Sequence, residues 1–318
     1  MRVVVIGGSG HIGSWLVPRL VHLGHEVVVI TRGQREPYRR DGAWNRAETV
    51  VVDRAEEESR GVFGRRVADL GADVVIDLIS FTVDSTRQVV EALDGGVQHF
   101  LHCGTIWVHG PSQVVPTTEA APRRPLGEYG KNKAAIEQYL HQMARVHGFP
   151  ATVVHPGHIS GPGWVPINPV GNRNLDDFQR LIDGRELVLP HRGMETLQHV
   201  HADDVAGVFL AAMENRSVSI GESFHAVSET AMTLRGYAEQ VASWFGREAD
   251  LAFLGRDEWR LTVSEEEARI TFDHIDHSPC ASMEKAGRLL GFRPRHTQAD
   301  TVREALDWLI AQGRLTAG

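Results

Sequence analysis

The order of apolar and polar positions in the first half of the chain predicts strands that alternate with helices. Val3 to Ile6 is a continuous apolar, β-branched run, typical of a strand buried on both faces. A helix is predicted to follow it up to Leu23, with further strands at 26–31, 49–52, 73–78, 99–103 and 151–154, and helices at 62–70 and 83–93. Because strands and helices alternate, we expect an α/β fold with a parallel, doubly wound Rossmann sheet.

A glycine-rich turn links the first strand to the first helix. Gly7 permits a tight turn, Gly10 lets the backbone approach a pyrophosphate, and Gly13 allows the helix to pack closely. The amides at the start of the helix then face the phosphates. Since the pattern follows a strand and opens a helix, we interpret it as a dinucleotide-binding turn.

The ends of the second and third strands bear on the type of dinucleotide. Arg32 follows the second strand, and no carboxylate occurs there before Glu36. An acid at this place binds the ribose hydroxyls of NAD, whereas an arginine suits a 2′-phosphate. We therefore expect NADP, with NAD as the alternative. Asp53, at the end of the third strand, is placed to meet an adenine amino group.

Beyond residue 160 the pattern is less regular and predicts a smaller C-terminal α/β domain. A strand is expected at 222–227, with helices at 233–245, 283–290 and 297–312. We assign residues 1–160 plus about 200–227 to the dinucleotide-binding domain. Residues from about 161–199 plus 228–318 are assigned to a substrate-binding domain that covers the cleft.

Tyr129 and Lys133 are the leading candidates for acid–base chemistry. They are four residues apart in a predicted helix, so their side chains share one face. A phenol has a pKa of roughly 10, and an ammonium beside it favours the phenolate. Only three of the 33 cationic side chains are lysines, which marks Lys133 as a place where a compact charge is needed. Thr105, after the fifth strand, is placed to hydrogen-bond a substrate oxygen.

Composition narrows the class of partner. Apolar residues make up 42% and charged residues 23%, as in an ordinary globular protein. A net charge of -8 argues against a nucleic-acid or anionic-membrane partner. No apolar run approaches the roughly 20 residues that span a bilayer. Because the chain opens on a strand and has only two cysteines, we expect a cytoplasmic protein without disulfides.

With these motifs in place, the sequence resembles the extended short-chain dehydrogenase/reductase family, which contains sugar-nucleotide epimerases and dehydratases. The resemblance runs nearly end to end, in the expected order. It includes the glycine turn, Thr105, the Tyr129–Lys133 pair 24 residues later, the loop at 156–163 and the Asp203–Ala206 segment. Regulators and RNA-binding relatives in this family often lack the Tyr–Lys pair, which this chain keeps.

The resemblance implies an NAD(P)-dependent enzyme that transfers a hydride at a carbon bearing a hydroxyl or keto group. Tyr129 would exchange the hydroxyl proton, Lys133 would lower its pKa and bind the nicotinamide ribose, and Thr105 would orient the oxygen. Trp107 and His109 would contact the substrate. A homodimer formed through the Tyr129 helix is also implied. The residues expected to contact the cofactor are Gly7, Ser9, Gly10, His11, Ile12, Gly13, Arg32, Asp53, Leu78, Lys133, Pro156 and His158.

Three departures from the family pattern limit the chemistry. Ile106-Trp107 replaces the Asp-Glu pair that dehydratases use, so 4,6-dehydration is not expected. His155 replaces an arginine. Leu197 replaces an arginine that usually contacts a nucleoside diphosphate, so a smaller carbohydrate is a candidate substrate beside a nucleotide sugar.

Several alternatives remain open from the sequence. Epimerisation and simple oxidation or reduction would use the same residues. A non-catalytic NAD(P)-binding redox sensor would need the glycine turn but not Thr105, Tyr129 and Lys133 together. The seventeen histidines include close pairs such as His155 and His158, but matching cysteine or carboxylate spacings are absent, so we expect no metal site.

Overall fold

The computed structural model describes residues 1–317. Its strands are β1 (Arg2–Ile6), β2 (Glu26–Thr31), β3 (Glu48–Val51), β4 (Val74–Asp77), β5 (His99–Cys103), β6 (Ala151–Pro156), β7 (His158–Ser160), β8 (Leu187–Pro190), β9 (Thr196–Leu197), β10 (His199–His201), β11 (Ser223–Ala226), β12 (Met232–Thr233) and β13 (Leu251–Leu254). Its α-helices are α1 (Gly13–His22), α2 (Arg54–Ser59), α3 (Phe63–Asp69), α4 (Val83–Leu93), α5 (Gly127–His147), α6 (Leu175–Asp183), α7 (Ala202–Glu214), α8 (Arg216–Ser219), α9 (Leu234–Trp244), α10 (Arg256–Arg260), α11 (Glu265–Ile275), α12 (Glu284–Leu290) and α13 (Gln298–Ala311). Two 3-10 helices span Gly42–Arg46 and Ile106–His109.

Seven parallel strands form the central sheet, in the order β11-β6-β5-β4-β1-β2-β3. The predicted doubly wound Rossmann sheet is therefore confirmed. The strand order reverses between β1 and β4, and ligands of such sheets bind beyond the carboxyl ends of the strands near this reversal. The turn after β1 and the segments after β4, β5 and β6 all lie at that edge.

Helices cover both faces of the sheet. Alternate residues of β1 point to opposite faces, so Val5 packs with Leu16 and Phe209 in one apolar group while Ile6 packs with Phe63 in another. The C-terminal part has its own group around Phe178, Tyr237 and Trp259. Residues 281–290, which the sequence assigned to the substrate-binding domain, contribute to the group that contains Val5.

The glycine turn has the predicted backbone geometry. Gly7 has a φ of +83°, which an L side chain rarely adopts. A Cβ added to Gly13 would lie 2.0 Å from the Gly8 carbonyl oxygen, so only glycine fits there. The steric roles predicted for both residues are confirmed.

Several short elements escaped sequence prediction. The α2 helix follows Asp53 directly, and β7 lies within the segment that was predicted as a loop. Strands of two or three residues show no periodicity, because tertiary pairing rather than local pattern stabilises them. Within residues 1–317, no helix is both long enough and apolar enough to cross a membrane.

Candidate active site

A cavity of about 480 Å³ lies at the carboxyl ends of β1 to β4. Arg32 and Asp53 line it together with the apolar side chains of Ile6, Ile30 and Ile79. Arg32 is exposed, and its guanidinium makes no hydrogen bond or ion pair within residues 1–317. The cavity thus brings two predicted cofactor residues together and has the apolar walls that suit an adenosine.

One oxygen of the Asp53 carboxylate has a structural role. Its Oδ1 accepts hydrogen bonds from the amides of Ala55 (3.0 Å) and Glu56 (3.2 Å) and so caps α2. Oδ2 remains available for an adenine amino group. The cavity is also lined by Arg54, which sequence reasoning missed and which donates to the buried Asp77 carboxylate at 2.8 Å.

His11 of the glycine turn is covered by two loops. Its Nδ1 lies 2.8 Å from the Tyr38 hydroxyl, and its ring stacks on Trp164 with centroids 5.0 Å apart. Burial lowers the pKa of His11 to about 4, so the ring is neutral near pH 7. The position of His11 was predicted, but Tyr38 and Trp164 lie in loops without a sequence signal. Ser9, also in this turn, has its Oγ 2.7 Å from Thr31 Oγ1.

Three further residues predicted to contact the cofactor are Ile12, Leu78 and Pro156. Ile12 and Leu78 are buried in the apolar group beneath the glycine turn. Pro156 ends β6 and is paired with Ala226 of β11. Since the side chains of Ile12 and Leu78 belong to the core, any contact they make with a cofactor would come mainly from their backbone atoms.

Lys133 is buried in the first turns of α5, with 2% of its surface exposed. Its Nζ donates to the carbonyl oxygens of Ser80 (2.7 Å) and Cys103 (2.6 Å), which follow or end β4 and β5. Burial lowers the pKa of its ammonium from the usual value. An ammonium has three N–H donors, so one remains for a ribose hydroxyl or a phenolate.

Tyr129 lies one turn before Lys133, at the mouth of the cleft, with 44% of the residue exposed. Packing around the phenol desolvates it and raises its pKa above the usual value, while the neighbouring Thr105 side chain acts in the opposite direction. The expectation that Lys133 lowers this pKa stays a prediction. The Lys133 ammonium donates to two carbonyl groups and lies 6.0 Å from the centre of the Tyr129 ring.

Thr105 is held at the end of β5 by its backbone. Its Oγ1 accepts from the Trp107 amide at 3.3 Å, and its own amide donates to His155 Nδ1 at 2.9 Å. His155 Nε2 lies 2.9 Å from Glu137 Oε1. Because Nδ1 accepts a hydrogen bond, the neutral ring carries its proton on Nε2 and donates it to Glu137.

Glu137 anchors this arrangement from α5. Arg123 donates two hydrogen bonds to its carboxylate, at 2.8 and 2.6 Å, and Ser223 donates a third at 2.6 Å. Burial alone would raise the pKa of Glu137, but His155 and Arg123 outweigh it and lower the pKa below its usual range. Glu137 was missed by sequence reasoning, although it lies on the same helix face as Lys133, four residues later.

On the other side of Tyr129 lies a group of aromatic and imidazole rings. The Trp107 ring is edge-on to Tyr129, with centroids 5.8 Å apart, and stacks on His277 at 4.3 Å. His274 and His158 complete the group at 5.2 and 6.4 Å from Trp107. Trp107, predicted as a substrate contact, thus lies beside Tyr129, and His158, predicted as a cofactor contact, belongs to the same ring group. His274, near the end of α11, and His277, just after it, were not predicted.

His109 has different surroundings from those predicted. It is buried, and its Nε2 lies 2.9 Å from His225 Nε2. Burial lowers the pKa of His109 to about 4. The pairing of these two rings, 116 residues apart, occupies Nε2 of His109, and the substrate contact of this residue stays a prediction.

Two groups of possible metal ligands occur within residues 1–317, and they share His296. In one, His201 Nδ1 accepts from the Asp203 amide at 3.0 Å, so Nε2 of the neutral ring carries a proton and is not a metal ligand. In the other, Asp203 is paired with Arg19. These contacts explain both groups without a metal ion.

Comparison with protein-family models matches residues 3–226 to the NAD dependent epimerase/dehydratase family. Among curated relatives, the chloroplast stem-loop binding protein of 41 kDa b from Arabidopsis thaliana is 26% identical, over 98% of this chain and 80% of the relative. The 2′-dehydrokanamycin reductase of Streptomyces kanamyceticus is also 26% identical, over 99% of this chain and 86% of the relative.

Solved structures show the same fold. A UDP-glucose 4-epimerase from Thermotoga maritima, crystallised with UDP-glucose, superposes with a TM-score of 0.75. The alignment covers 98% of this chain and 99% of the other, at 20% identity.

Proposed function

Because the chain belongs to the NAD dependent epimerase/dehydratase family, we propose that it is an NAD(P)-dependent oxidoreductase or epimerase acting on a hydroxyl or keto carbon of a carbohydrate. One observation carries this proposal. Tyr129 neighbours both Phe81, which lines the predicted cofactor cavity, and Trp107, which belongs to the ring group, with ring centroids 6.4 and 5.8 Å away. A substrate whose reacting carbon lies at Tyr129 would therefore be next to both the cofactor cavity and the ring group.

Each of the three predicted catalytic residues has a role in this reaction. A bound nicotinamide supplies the hydride acceptor or donor. In oxidation, the Tyr129 oxygen takes the hydroxyl proton. The remaining N–H of Lys133 would hold the nicotinamide ribose, and the positive charge of its ammonium would stabilise the phenolate. Thr105 orients the substrate oxygen through its hydroxyl. The raised pKa keeps the Tyr129 phenol protonated in the protein alone, so the group is ready to donate its proton in the direction of reduction.

The surroundings of Trp107 argue against dehydration. Elimination of water needs an acid and a base beside the tyrosine, and here Ile106 is buried and Trp107 stacks on His277. Epimerisation and oxidation or reduction need only the residues named above. The relatives include both kinds of enzyme, a reductase and UDP-glucose 4-epimerases.

Finer features are proposed on narrower grounds. The unpaired Arg32 guanidinium favours NADP, since it can bind a 2′-phosphate. A homodimer through α5 is proposed from the family resemblance, and a cytoplasmic location from the two free cysteines, Cys103 and Cys280. The Arabidopsis relative is named for binding stem-loops, but the net charge of -8 and the retained Tyr129–Lys133 pair favour catalysis here.

Substitution of Tyr129 by Phe tests the proposal. The Tyr129→Phe variant should bind NADP or NAD as the wild type does, because the ring and its packing remain. Its turnover on a sugar panel, followed by reduced-nicotinamide absorbance, should fall about 10²–10⁴-fold with loss of the proton acceptor. Near-wild-type turnover would disprove this mechanism. Tight cofactor binding by the wild type, with no turnover on any sugar, would favour the redox sensor.

A further inference from the structure

Tyr129 has two ring neighbours, Phe81 and Trp107, whose surroundings differ in chemistry. On one side, Phe81 lies 6.4 Å from the Tyr129 ring and lines the same cavity as Asp53. On the other side lies a group of rings, which we call the imidazole group: His158, His274 and His277 around Trp107. Because Phe81 already lines the predicted cofactor cavity, we place the substrate at the imidazole group, whose Trp107 contacts the Tyr129 ring.

Hydrogen bonds determine which nitrogens of this group carry protons. His274 Nδ1 lies 2.7 Å from the Ile270 carbonyl oxygen, and His277 Nδ1 lies 2.7 Å from that of Asp273. A carbonyl oxygen only accepts, so both Nδ1 atoms must carry the proton. In each neutral ring Nε2 is then a hydrogen-bond acceptor. Within residues 1–317, His277 Nε2 is buried without a partner, whereas His274 Nε2 is not among the buried unsatisfied atoms and is open to a ligand.

His158 adds a second kind of free nitrogen. The residue is buried, with 9% of its surface exposed, and neither ring nitrogen has a hydrogen-bond partner within residues 1–317. A neutral imidazole has one donor and one acceptor, so both functions are free. An unsatisfied buried polar atom costs about 1–3 kcal/mol, and native proteins retain few of them. Neighbouring unsatisfied nitrogens beside Tyr129 therefore point to a ligand.

The charge of the group limits that ligand. Burial lowers the pKa of His274 to about 4 and that of His158 well below its usual value, so the rings are neutral near pH 7. Arg173 and Asp273 act on the pKa of His274 in opposite directions, and Asp273 and Asp276 raise that of His277, so charges of both signs surround the group. An ammonium group buried among neutral rings without a paired carboxylate would be disfavoured by desolvation. Carboxylates and doubly ionised phosphates have no proton to donate to the acceptor nitrogens of His274 and His277.

Hydroxyl groups meet both the hydrogen-bonding requirement and the charge requirement, because each hydroxyl donates and accepts a hydrogen bond and carries no charge. We propose that the imidazole group binds adjacent hydroxyls of an uncharged sugar ring, with His274 accepting from one hydroxyl and His158 bonding its neighbour. The inference rests on the proposed function, which places the reacting carbon at Tyr129. The ring can belong to a free sugar or to the sugar part of a nucleotide sugar, and both present the same hydroxyls.

Calorimetric binding to the cofactor-loaded protein tests the inference without relying on turnover. The probes are methyl hexosides, the corresponding uronic acids and amino sugars, and UDP-glucose with UDP-glucuronic acid. We expect the uncharged ring to bind more tightly than its acidic and amino forms, both free and as the nucleotide sugar. The free and UDP-linked arms distinguish the two sources of the ring.

A substitution at His274 tests the acceptor role. His274→Phe keeps an aromatic ring beside Trp107 but removes Nε2, and should weaken binding of the best uncharged sugar about tenfold, the value of one hydrogen bond. A probe lacking the hydroxyl in question should lose affinity for the wild type but not for the variant. His147→Phe, at the exposed end of α5, is the matched control. Its affinity should equal that of the wild type.

Two results would overturn the inference. One is tighter binding of a uronic acid or amino sugar than of the uncharged ring. The other is equal sugar affinity in the His274→Phe and His147→Phe proteins. Failure of the proposed function has a different signature: the binding preferences hold, but no probe supports hydride transfer.

Discussion

The contact between Thr105 and His155 allows a sharp test of how the catalytic threonine is positioned. His155 uses its two nitrogens differently, since Nδ1 accepts from the Thr105 amide and Nε2 donates to Glu137. An asparagine Oδ1 is the same number of bonds from Cβ as Nδ1, and a glutamine Nε2 the same number as histidine Nε2. His155→Asn therefore keeps the acceptor for Thr105, whereas His155→Gln keeps the donor for Glu137.

Loss of the acceptor for Thr105 and loss of the donor for Glu137 should appear in different measurements. In His155→Gln the buried Thr105 amide loses its acceptor, at a cost of about 1–3 kcal/mol, and the segment can relieve that cost by moving. A displacement of about 1 Å at a reacting group costs about 10²-fold in rate, so kcat should fall roughly 10- to 100-fold with little change in KM. His155→Asn should keep kcat within a few-fold of wild type.

The stability of the variants gives the complementary signal. In His155→Asn the Glu137 carboxylate keeps Arg123 and Ser223 but loses one donor. Loss of a hydrogen bond to a charged group costs about 1.5–3 kcal/mol, so the Tm should fall by several degrees. Steady-state kinetics and thermal unfolding of both variants, with His147→Asn and His147→Gln as controls, measure this. A kcat in His155→Asn as low as in His155→Gln would refute the assignment of Thr105 positioning to Nδ1.

Two further predictions concern the cofactor and pH. Arg32→Ala should weaken NADP binding about 10- to 100-fold, the value of a charge-assisted hydrogen bond, and leave NAD binding unchanged. Fluorescence titrations measure both affinities. Equal effects on NADP and NAD would exclude a contact between Arg32 and the 2′-phosphate. The folded pKa values of His11, His99 and His274 lie at about 4, below the ordinary 6.5, so the unfolded chain binds more protons between these values. The free energy of unfolding should therefore fall as pH falls from about 6.5 to 4, by up to about 1.4 kcal/mol per pH unit for each such histidine. Denaturant midpoints that stay constant over this pH range would contradict the prediction.

Local patterns were sufficient to predict the sheet and to select the candidate site residues. The buried strand β1, the glycine turn after it and the Tyr129–Lys133 spacing each lie within a few residues, where backbone geometry and helix periodicity decide the outcome. The alternation of strands and helices then determined the doubly wound topology, because parallel strands need crossover helices. The placement of Tyr129 and Thr105 at one edge of the sheet followed from that topology.

Contacts between distant segments could not be read from the chain. Glu137 meets His155 across 18 residues, His155 meets Thr105 across 50, and His109 meets His225 across 116. No local pattern distinguishes a histidine that will bond a backbone amide from one that will bond a substrate. The contact between His109 and His225 could not be predicted for this reason, because β11 brings His225 to His109.

The sequence by itself determined that this protein folds as a Rossmann sheet with a glycine turn and a tyrosine–lysine pair on one helix face, because these features depend on short-range sterics and periodicity. Only the tertiary structure decided the ionisation and tautomers of the groups around them. Burial raises the pKa of Tyr129 and lowers those of Lys133 and His274. Desolvation and hydrogen-bond partners depend on what packs against each group, which the order of residues along the chain does not specify.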